Sequence, residues 1–223
     1  MSRLVRALAI CALLVSPALA DETARALPAP ALDNEAQVAS ETAVLAGGCF
    51  WGMQGVFQHV KGVKQVLAGF SGGAAATAHY ETVSLGMTGH AESVRIVFDP
   101  KLISYGQILR VYFSVMDPTT LNEQPPDEGT QYRSEIFAVN EGQARIARAY
   151  IAQLQKAHVF AAPIVTGVGA LKGFYPAEAY HQDYLILHPD QPYIAFYDLP
   201  KVAKLQRLYP ALYADKPVTV ARN

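Results

Sequence analysis

Hydrophobic and polar positions along the chain follow the two spacings that distinguish strands from helices. A short apolar run at 42–46 predicts a buried strand. The alternation over 91–99, which puts Val94, Ile96 and Phe98 on one face, predicts another. Further strands are predicted at 63–73, 134–139 and 163–169.

Between these strands the apolar positions recur at helical spacing. The segment that begins at Ser104 places its apolar side chains on one stripe, and Ser104 with Gln107 forms a capping box at its start. Asn140 with Gln143 caps a second amphipathic helix. Further helical segments are predicted at 49–60, at 177–188 as a short helix or turn, and at 201–209.

The order of these elements predicts the fold class. Residues 42–139 read β-α-β-β-α-β, which is the order of a ferredoxin-like split βαβ core. We therefore expect an α+β domain over 41–210, with an extra C-terminal strand and helices after the core. Residues 21–40, rich in Ala and Pro, are predicted to be a flexible leader, and 211–223 a C-terminal tail.

The first twenty residues have the layout of a secretory signal. Arg3 and Arg6 precede an apolar run over 7–15, and small residues lead up to Ala20. We expect cleavage after Ala20 and an exported protein, either periplasmic or secreted. The apolar run is too short for a comfortable transmembrane helix, and no later segment is long and apolar enough, so the mature form is expected to have no membrane span.

Composition and charge narrow the classes of function. The 223 residues are 51% hydrophobic and 17% charged, which is typical of a globular domain. A net charge of −1 provides no electrostatic reason to bind nucleic acid. The six histidines have no metal-like spacing with Cys49, so no metal is expected.

The cysteines raise the first question of chemistry. Cys11 lies in the predicted signal, which leaves Cys49 alone in the mature chain and unable to form an internal disulfide. Cys49 follows Gly47 and Gly48 where a strand gives way to a helix, and the unpaired N–H groups of a helix start lower the pKa of a thiol. By position alone, Cys49 is either a reactive thiol or a small buried hydrophobe.

Glu92 is the second candidate. Period two places it on the same face as Val94, so a carboxyl group faces the core. Such a group must be paired, or its pKa rises until it holds a proton near neutrality and can act as a general acid. The alternative is that the strand has not yet entered the core at this residue, which would leave Glu92 in solvent.

Aromatic residues and a long polar loop supply further candidates. Phe50 and Trp51 are adjacent on a predicted helix, so one can pack inward while the other lines a hollow, although both could be core. The hydroxyl groups of Tyr80 and Tyr132 could donate hydrogen bonds to an oxygen atom, or could simply reach the surface from buried rings. The loop over 116–137 is long enough to be functional.

Five motifs, taken together, point to a family. GGCFWG, TGHAESVRIVFDP, DPTT, GTQYRS and YHQDYL occur in this order between about Thr42 and His188. The chain resembles the peptide methionine sulfoxide reductases of the A type. The resemblance implies that the Cys49 thiolate attacks the sulfur of methionine S-sulfoxide while Glu92 protonates the departing oxygen. The products would be methionine and a Cys49 sulfenic acid.

The resemblance also implies roles around that pair. Tyr80 and Tyr132 would hydrogen-bond the sulfoxide oxygen, and Phe50 and Trp51 would receive the S-methyl group. Asp127 would lie at the edge of the site against the substrate backbone. His181, in the YHQDYL motif, is placed with the substrate-binding residues.

Partners and cofactors follow from the same resemblance. Oxidised proteins and peptides, and free methionine sulfoxide, would be substrates of a monomer that repairs oxidative damage. No cofactor is expected, because the cysteine sulfur itself carries the redox change. Two classes remain as alternatives: a non-catalytic module that binds methionine or its sulfoxide, and a cysteine hydrolase or acyl transferase in which a histidine activates Cys49.

The chain departs from the family pattern in two places. No cysteine follows Cys49, whereas many members use later cysteines to reduce the sulfenic acid through a disulfide. An external thiol is therefore expected, either a small thiol, a thioredoxin-like protein or a partner reductase domain. In addition, Pro125-Pro126 precedes Asp127 where a glycine is expected.

Overall fold

The structure, a computed structural model, describes residues 26–33 and 38–220. The predicted signal and its cleavage site at Ala20 lie outside the described residues. The strands are β1 (Glu41–Gly47), β2 (Val63–Ser71), β3 (Ala91–Phe98), β4 (Glu123–Gln124), β5 (Asp127–Glu128), β6 (Ser134–Ala138), β7 (Gly167–Ala170) and β8 (Phe174–Pro176). The helices are α1 (Phe50–Gln58), α2 (Tyr80–Val83), α3 (Tyr105–Val115), α4 (Glu141–Lys156), α5 (Tyr184–Leu187) and α6 (Leu199–Leu208).

The main sheet confirms the predicted ferredoxin-like core. Its strand order is β7-β6-β1-β3-β2-β8, and adjacent strands among the four central ones, β6, β1, β3 and β2, pair antiparallel. Strand β3 lies between β1 and β2, which is the split that defines this topology. Strand β7 adds to one edge in parallel with β6, and β8 pairs antiparallel with β2 at the other edge. Only β7 was predicted, as 163–169, because β8 is short and has no clear alternation.

Local sequence signals place the helices as predicted. The Ser104 hydroxyl accepts a hydrogen bond from the Gln107 N–H at the start of α3, and the Gln107 side chain completes the capping box. The Asn140 side chain accepts from the Gln143 N–H at the start of α4. These bonds satisfy N–H groups that the first helical turn leaves without partners.

The segment over 26–33 makes contacts that the prediction of a flexible leader did not anticipate. Leu27 is buried, its N–H donates to the Tyr209 hydroxyl at 3.1 Å, and its carbonyl accepts from Arg110 Nε at 2.7 Å. The Tyr150 hydroxyl donates to the Pro28 carbonyl. Each partner lies at least 80 residues further along the chain, so no local pattern in an Ala- and Pro-rich segment could reveal these contacts.

The C-terminal part packs against α1 and its flanks. A five-residue π-helical segment, Ile194–Asp198, leads directly into α6. Beyond α6, Tyr213 bridges to Val60, and the Val218 N–H donates to the Gln58 carbonyl at 3.0 Å. Among the helices of the described residues, none has the length and apolar character needed to cross a membrane.

Candidate active site

Cys49 lies in the turn that joins β1 to α1. It is the residue before the helix, its side chain is 7% exposed, and its thiol is free. Gly48, directly before it, has φ of +85°, and a Cβ there would come within 2.7 Å of the Gln124 side chain. Only glycine fits this left-handed and crowded turn, which aims Cys49 at the start of α1.

Glu92 enters the site from β3 and faces inward, as period two predicts. It is 3% exposed, and its Oε2 accepts a hydrogen bond from the Phe50 N–H at 2.9 Å. Burial raises the pKa of Glu92 to about 8, against the opposing effect of that N–H donor. The carboxyl groups of Asp127 and Asp198 raise it further. Glu92 therefore holds its proton at neutral pH, beside the residue that follows Cys49.

The predicted lowering of the Cys49 pKa is wrong for this structure. Burial raises the pKa of the thiol well above its usual value, and the carboxyl groups of Glu92 and Asp198 act in the same direction. The Trp51 N–H lowers the pKa, as a helix start should, and Lys201 lowers it too, but both effects are smaller. The sequence indicates the helix start correctly and gives no measure of how deeply the thiol is buried.

Phe50 and Trp51 divide their roles as two adjacent helical aromatics must. Phe50 is 1% exposed, whereas Trp51 is partly exposed and stacks on Tyr184 with ring centroids 3.9 Å apart. Tyr193 approaches Trp51 edge-on at 6.1 Å. The result is a wall of aromatic rings next to Cys49, apolar enough to hold a methyl group.

His181 is fixed behind this wall. Its Nδ1 accepts a hydrogen bond from the Trp51 indole N–H at 3.1 Å, so the remaining proton of a neutral ring sits on Nε2. Its ring centroid lies 5.1 Å from Phe50 and 4.3 Å from Tyr80. Burial lowers the pKa of His181. His181 thus orients Trp51 as a neutral imidazole.

Tyr80 and Tyr132 complete the surroundings of Glu92. Burial and the nearby Glu92 carboxylate raise the pKa of both phenols, so both keep their protons as hydrogen-bond donors. Tyr80 comes from α2 and Tyr132 from the turn before β6, and the charge of Cys49 acts on both. Four predicted residues, Cys49, Glu92, Tyr80 and Tyr132, therefore lie close enough for their charges to interact.

Asp127 lies at the rim, at the start of β5. The Tyr193 hydroxyl donates a hydrogen bond to its Oδ2, and burial raises the pKa of Asp127. The Pro125-Pro126 bond is cis and forms the tight turn between β4 and β5. The proline pair thus replaces the expected glycine without removing Asp127 from the site.

Three residues near Cys49 were not predicted. They are Tyr193, directly before the π-helical segment, Asp198 at its end and Lys201 in α6, about 150 residues after Cys49. An aspartate two residues before a proline is a usable sign of a helix start, but nothing in the local sequence says which element that helix covers. Within the described ranges, no group of three or more His, Cys, Asp or Glu side chains could hold a metal ion.

Fold and site together define a thiol enzyme, with one cysteine at a helix start and a proton-holding carboxyl group beside it. The sequence model of the family described as "Peptide methionine sulfoxide reductase" matches residues 41–211. The chain belongs to this family. The predicted resemblance is therefore confirmed.

Individual relatives agree with the family match. A peptide methionine sulfoxide reductase MsrA 2 of Mesorhizobium japonicum is 60% identical over 85% of this chain and 97% of its own. The protein of the same name from Synechocystis is 45% identical over 91% and 95%. Among solved structures, methionine sulfoxide reductase A of Corynebacterium diphtheriae has a TM-score of 0.60 at 30% identity, covering 74% of this chain and 84% of that chain.

Proposed function

We propose that this enzyme reduces methionine S-sulfoxide, free or in peptides, and so repairs oxidised proteins. The observation that carries the proposal is the carboxyl group of Glu92, protonated near neutrality and 2.9 Å from the N–H of the residue after Cys49. A nucleophilic sulfur and a proton donor on the same side of one helix start are what removal of a sulfoxide oxygen requires.

The step balances without a further redox agent. The Cys49 thiolate attacks the sulfoxide sulfur, and Glu92 protonates the oxygen. The attack forms a bond between Cys49 Sγ and the substrate sulfur. That bond and the substrate S–O bond then break as the hydroxyl moves to Cys49 Sγ, so the thiolate, the proton and the sulfoxide become a sulfenic acid and a thioether. The substrate sulfur gains the two electrons that the cysteine sulfur loses, which is why the proposed mechanism needs no prosthetic group.

Neighbouring side chains orient the substrate in this proposal. The phenols of Tyr80 and Tyr132 hydrogen-bond the sulfoxide oxygen. The rings of Phe50 and Trp51 take the S-methyl group, with His181 holding the indole. Asp127 contacts the substrate backbone from the rim. Support comes from the ring contacts of Phe50 with Trp51 and Tyr80, the hydrogen bond from Trp51 to His181, and the electrostatic effects that join Glu92 to Tyr132 and Asp127.

Regeneration of the thiol is assigned to an external reductant. No cysteine follows Cys49, and Cys11 lies in the predicted signal, so we assign no internal partner to the sulfenic acid. A small thiol or a thioredoxin-like protein would attack it, release water and then reduce the mixed disulfide. We further propose that the enzyme works as a monomer and is exported to the periplasm or secreted, on the basis of the signal-like residues 1–20.

A single-turnover reaction without added reductant tests the proposal. The protein is mixed with a peptide that contains methionine S-sulfoxide, and both methionine and the sulfenic acid trapped on Cys49 are measured. We expect one methionine for each protein molecule. The R-sulfoxide peptide serves as the matched substrate control and should give none.

The Cys49→Ser variant separates this function from the two alternatives. Reduction should vanish while substrate binding persists, since the aromatic wall is unchanged. Binding without methionine formation in the reduced wild-type protein would indicate a binding module. Hydrolysis of an acyl substrate would indicate the other cysteine chemistry, although the Nδ1 of His181 is engaged with Trp51 and not with Cys49.

A further inference from the structure

A buried ion pair lies against the helix that carries Cys49. Asp198 is 0% exposed, and its Oδ1 accepts a hydrogen bond from the Lys201 ammonium at 2.9 Å. Its Oδ2 has no hydrogen-bond partner among the described residues. A buried carboxylate with only one of its two oxygens paired costs stability, so its retention here calls for a role.

The first turn of α1 is shaped to receive this pair. Gly52 lies one turn after Cys49, and a Cβ there would come within 2.7 Å of Asp198 Cγ and 3.1 Å of Lys201 Nζ. The pair therefore touches the backbone of α1 where a side chain would otherwise stand. The residues at the start of α6 thus bring one negative and one positive group next to Gly52, one turn after the reactive thiol.

We propose that Asp198 and Lys201 are positioning residues that set how readily the Cys49 thiol ionises. Lys201 places a positive charge beside Gly52, one turn after Cys49, and Asp198 fixes that ammonium in place while its own carboxylate acts on the thiol in the opposite direction. The assignment rests on the proposed function only in taking Cys49 as the reacting group.

Electrostatics supports the geometry. Asp198 raises the pKa of Cys49, and Lys201 lowers it by a smaller effect. Burial raises the pKa of Asp198 itself, and Lys201 lowers it. The other titratable groups that act on Cys49, or on which its charge acts, come from separate elements: Glu92, Tyr80, Tyr132 and Tyr193. Lys201 is the cation among these groups. Its removal should therefore raise the pKa of Cys49, whereas removal of an acidic group should lower it.

Alkylation of Cys49 by iodoacetamide tests the proposal without any sulfoxide. The rate is followed from about pH 7 to about pH 11 by peptide-resolved mass spectrometry, which separates Cys49 from Cys11 and reports the thiolate fraction. We expect Lys201→Gln to raise the midpoint by about one pH unit, or about tenfold slower alkylation at a fixed lower pH. Asp198→Asn should lower the midpoint by a similar amount.

Opposite shifts are the signature of the proposed role. A merely structural pair would loosen the site in both variants and move both midpoints the same way. Lys201→Arg should restore the wild-type midpoint. Arg207→Gln, an exposed cation on the same helix, should leave it unchanged.

Two results would overturn the assignment: equal midpoints in folded wild type and Lys201→Gln, or shifts of the same sign in the two single variants. Should Asp198→Asn fail to fold, the Lys201→Gln and Lys201→Arg comparison decides alone. Because alkylation needs no substrate, a failure here is distinct from a failure of sulfoxide reduction.

Discussion

The proton on Glu92 makes a specific prediction about the pH dependence of the reaction. The reactive form combines a Cys49 thiolate with a protonated Glu92. The pKa of Glu92 is about 8, and burial places that of Cys49 well above its usual value. The enzyme that has lost one proton exists in two forms. The form with Glu92 ionised predominates, and the reactive form with Cys49 ionised is the minor one. Its population rises as that first proton leaves and then reaches a plateau.

The size of the effect follows from the Glu92 pKa of about 8. Relative to the plateau, the reactive population is about 0.09 at pH 7, about 0.5 at pH 8 and about 0.9 at pH 9. The second-order rate should thus rise about tenfold between pH 6 and pH 7, but only about twofold between pH 8 and pH 9. Glu92→Gln removes this break, because the rate then follows the thiolate alone, about tenfold for each pH unit.

The assay is a rapid-quench single turnover with enzyme in excess over a methionine S-sulfoxide peptide. At low concentration its rate reports the pKa values of the free enzyme, and it needs no reductant with a pKa of its own. The Glu92→Gln variant should also be about 10²- to 10⁴-fold slower, since the amide cannot supply the proton. Glu135→Gln, at an acidic position outside the site, is the matched control.

Either of two results would refute the reasoning. A break near pH 8 that persists in Glu92→Gln would assign it to another group. A rate that falls between pH 7 and pH 9 in the wild type would place the thiol pKa below that of Glu92, contrary to the buried position of Cys49.

Three further predictions concern stability. Glu92→Gln should stabilise the fold at high pH, because the raised pKa of Glu92 favours folding below the unfolded value of 4.5 and this advantage is lost as the pH rises through about 8. In urea unfolding, the stability of the variant relative to wild type should be greater at pH 9 than at pH 4 by up to about 5 kcal/mol, which is about 3.5 pH units at about 1.4 kcal/mol each. Gly52→Ala should destabilise the protein by about 1–3 kcal/mol, measured the same way, because its Cβ collides with Asp198. Tyr209→Phe should cost about 1–3 kcal/mol and make the segment around Leu27 sensitive to limited proteolysis, because the Leu27 N–H loses its acceptor.

Controls for these variants lie in the same chain. Gly142→Ala changes a helical glycine whose Cβ would meet only the Asn140 side chain, at 3.0 Å, and it should alter stability by less than about 1 kcal/mol. Tyr197→Phe removes a hydroxyl from a side chain that is 44% exposed and should change neither stability nor proteolysis. A Gly52→Ala protein as stable as wild type would mean that Asp198 moves away at little cost.

The sequence was most informative where local spacing decides the outcome. The alternation over 94–98 in β3, extended back by period two, puts Glu92 on the inward face, and Glu92 is buried there. The capping residues Ser104 and Asn140 located two helix starts, because a cap involves only the next three residues. These signals were enough to order the central strands and helices.

It was least informative where distant segments meet. The charges of Asp198 and Lys201 act on Cys49 from about 150 residues away, and Leu27 is held by Tyr209, 182 residues away. No local pattern encodes such contacts. The direction of the Cys49 pKa shift was therefore mistaken, since it is set by how much water the distant elements exclude.

The late position of Asp198 in the chain also has a consequence for biosynthesis. The thiol at Cys49 is made 149 residues before the carboxyl group that covers its helix. At about 5–20 residues per second, the ribosome needs roughly 7–30 s to close that gap. During this interval the nascent chain carries Cys49 without the C-terminal residues that complete its site, and the thiol is accessible to oxidants. The site is therefore completed well after its thiol has been made.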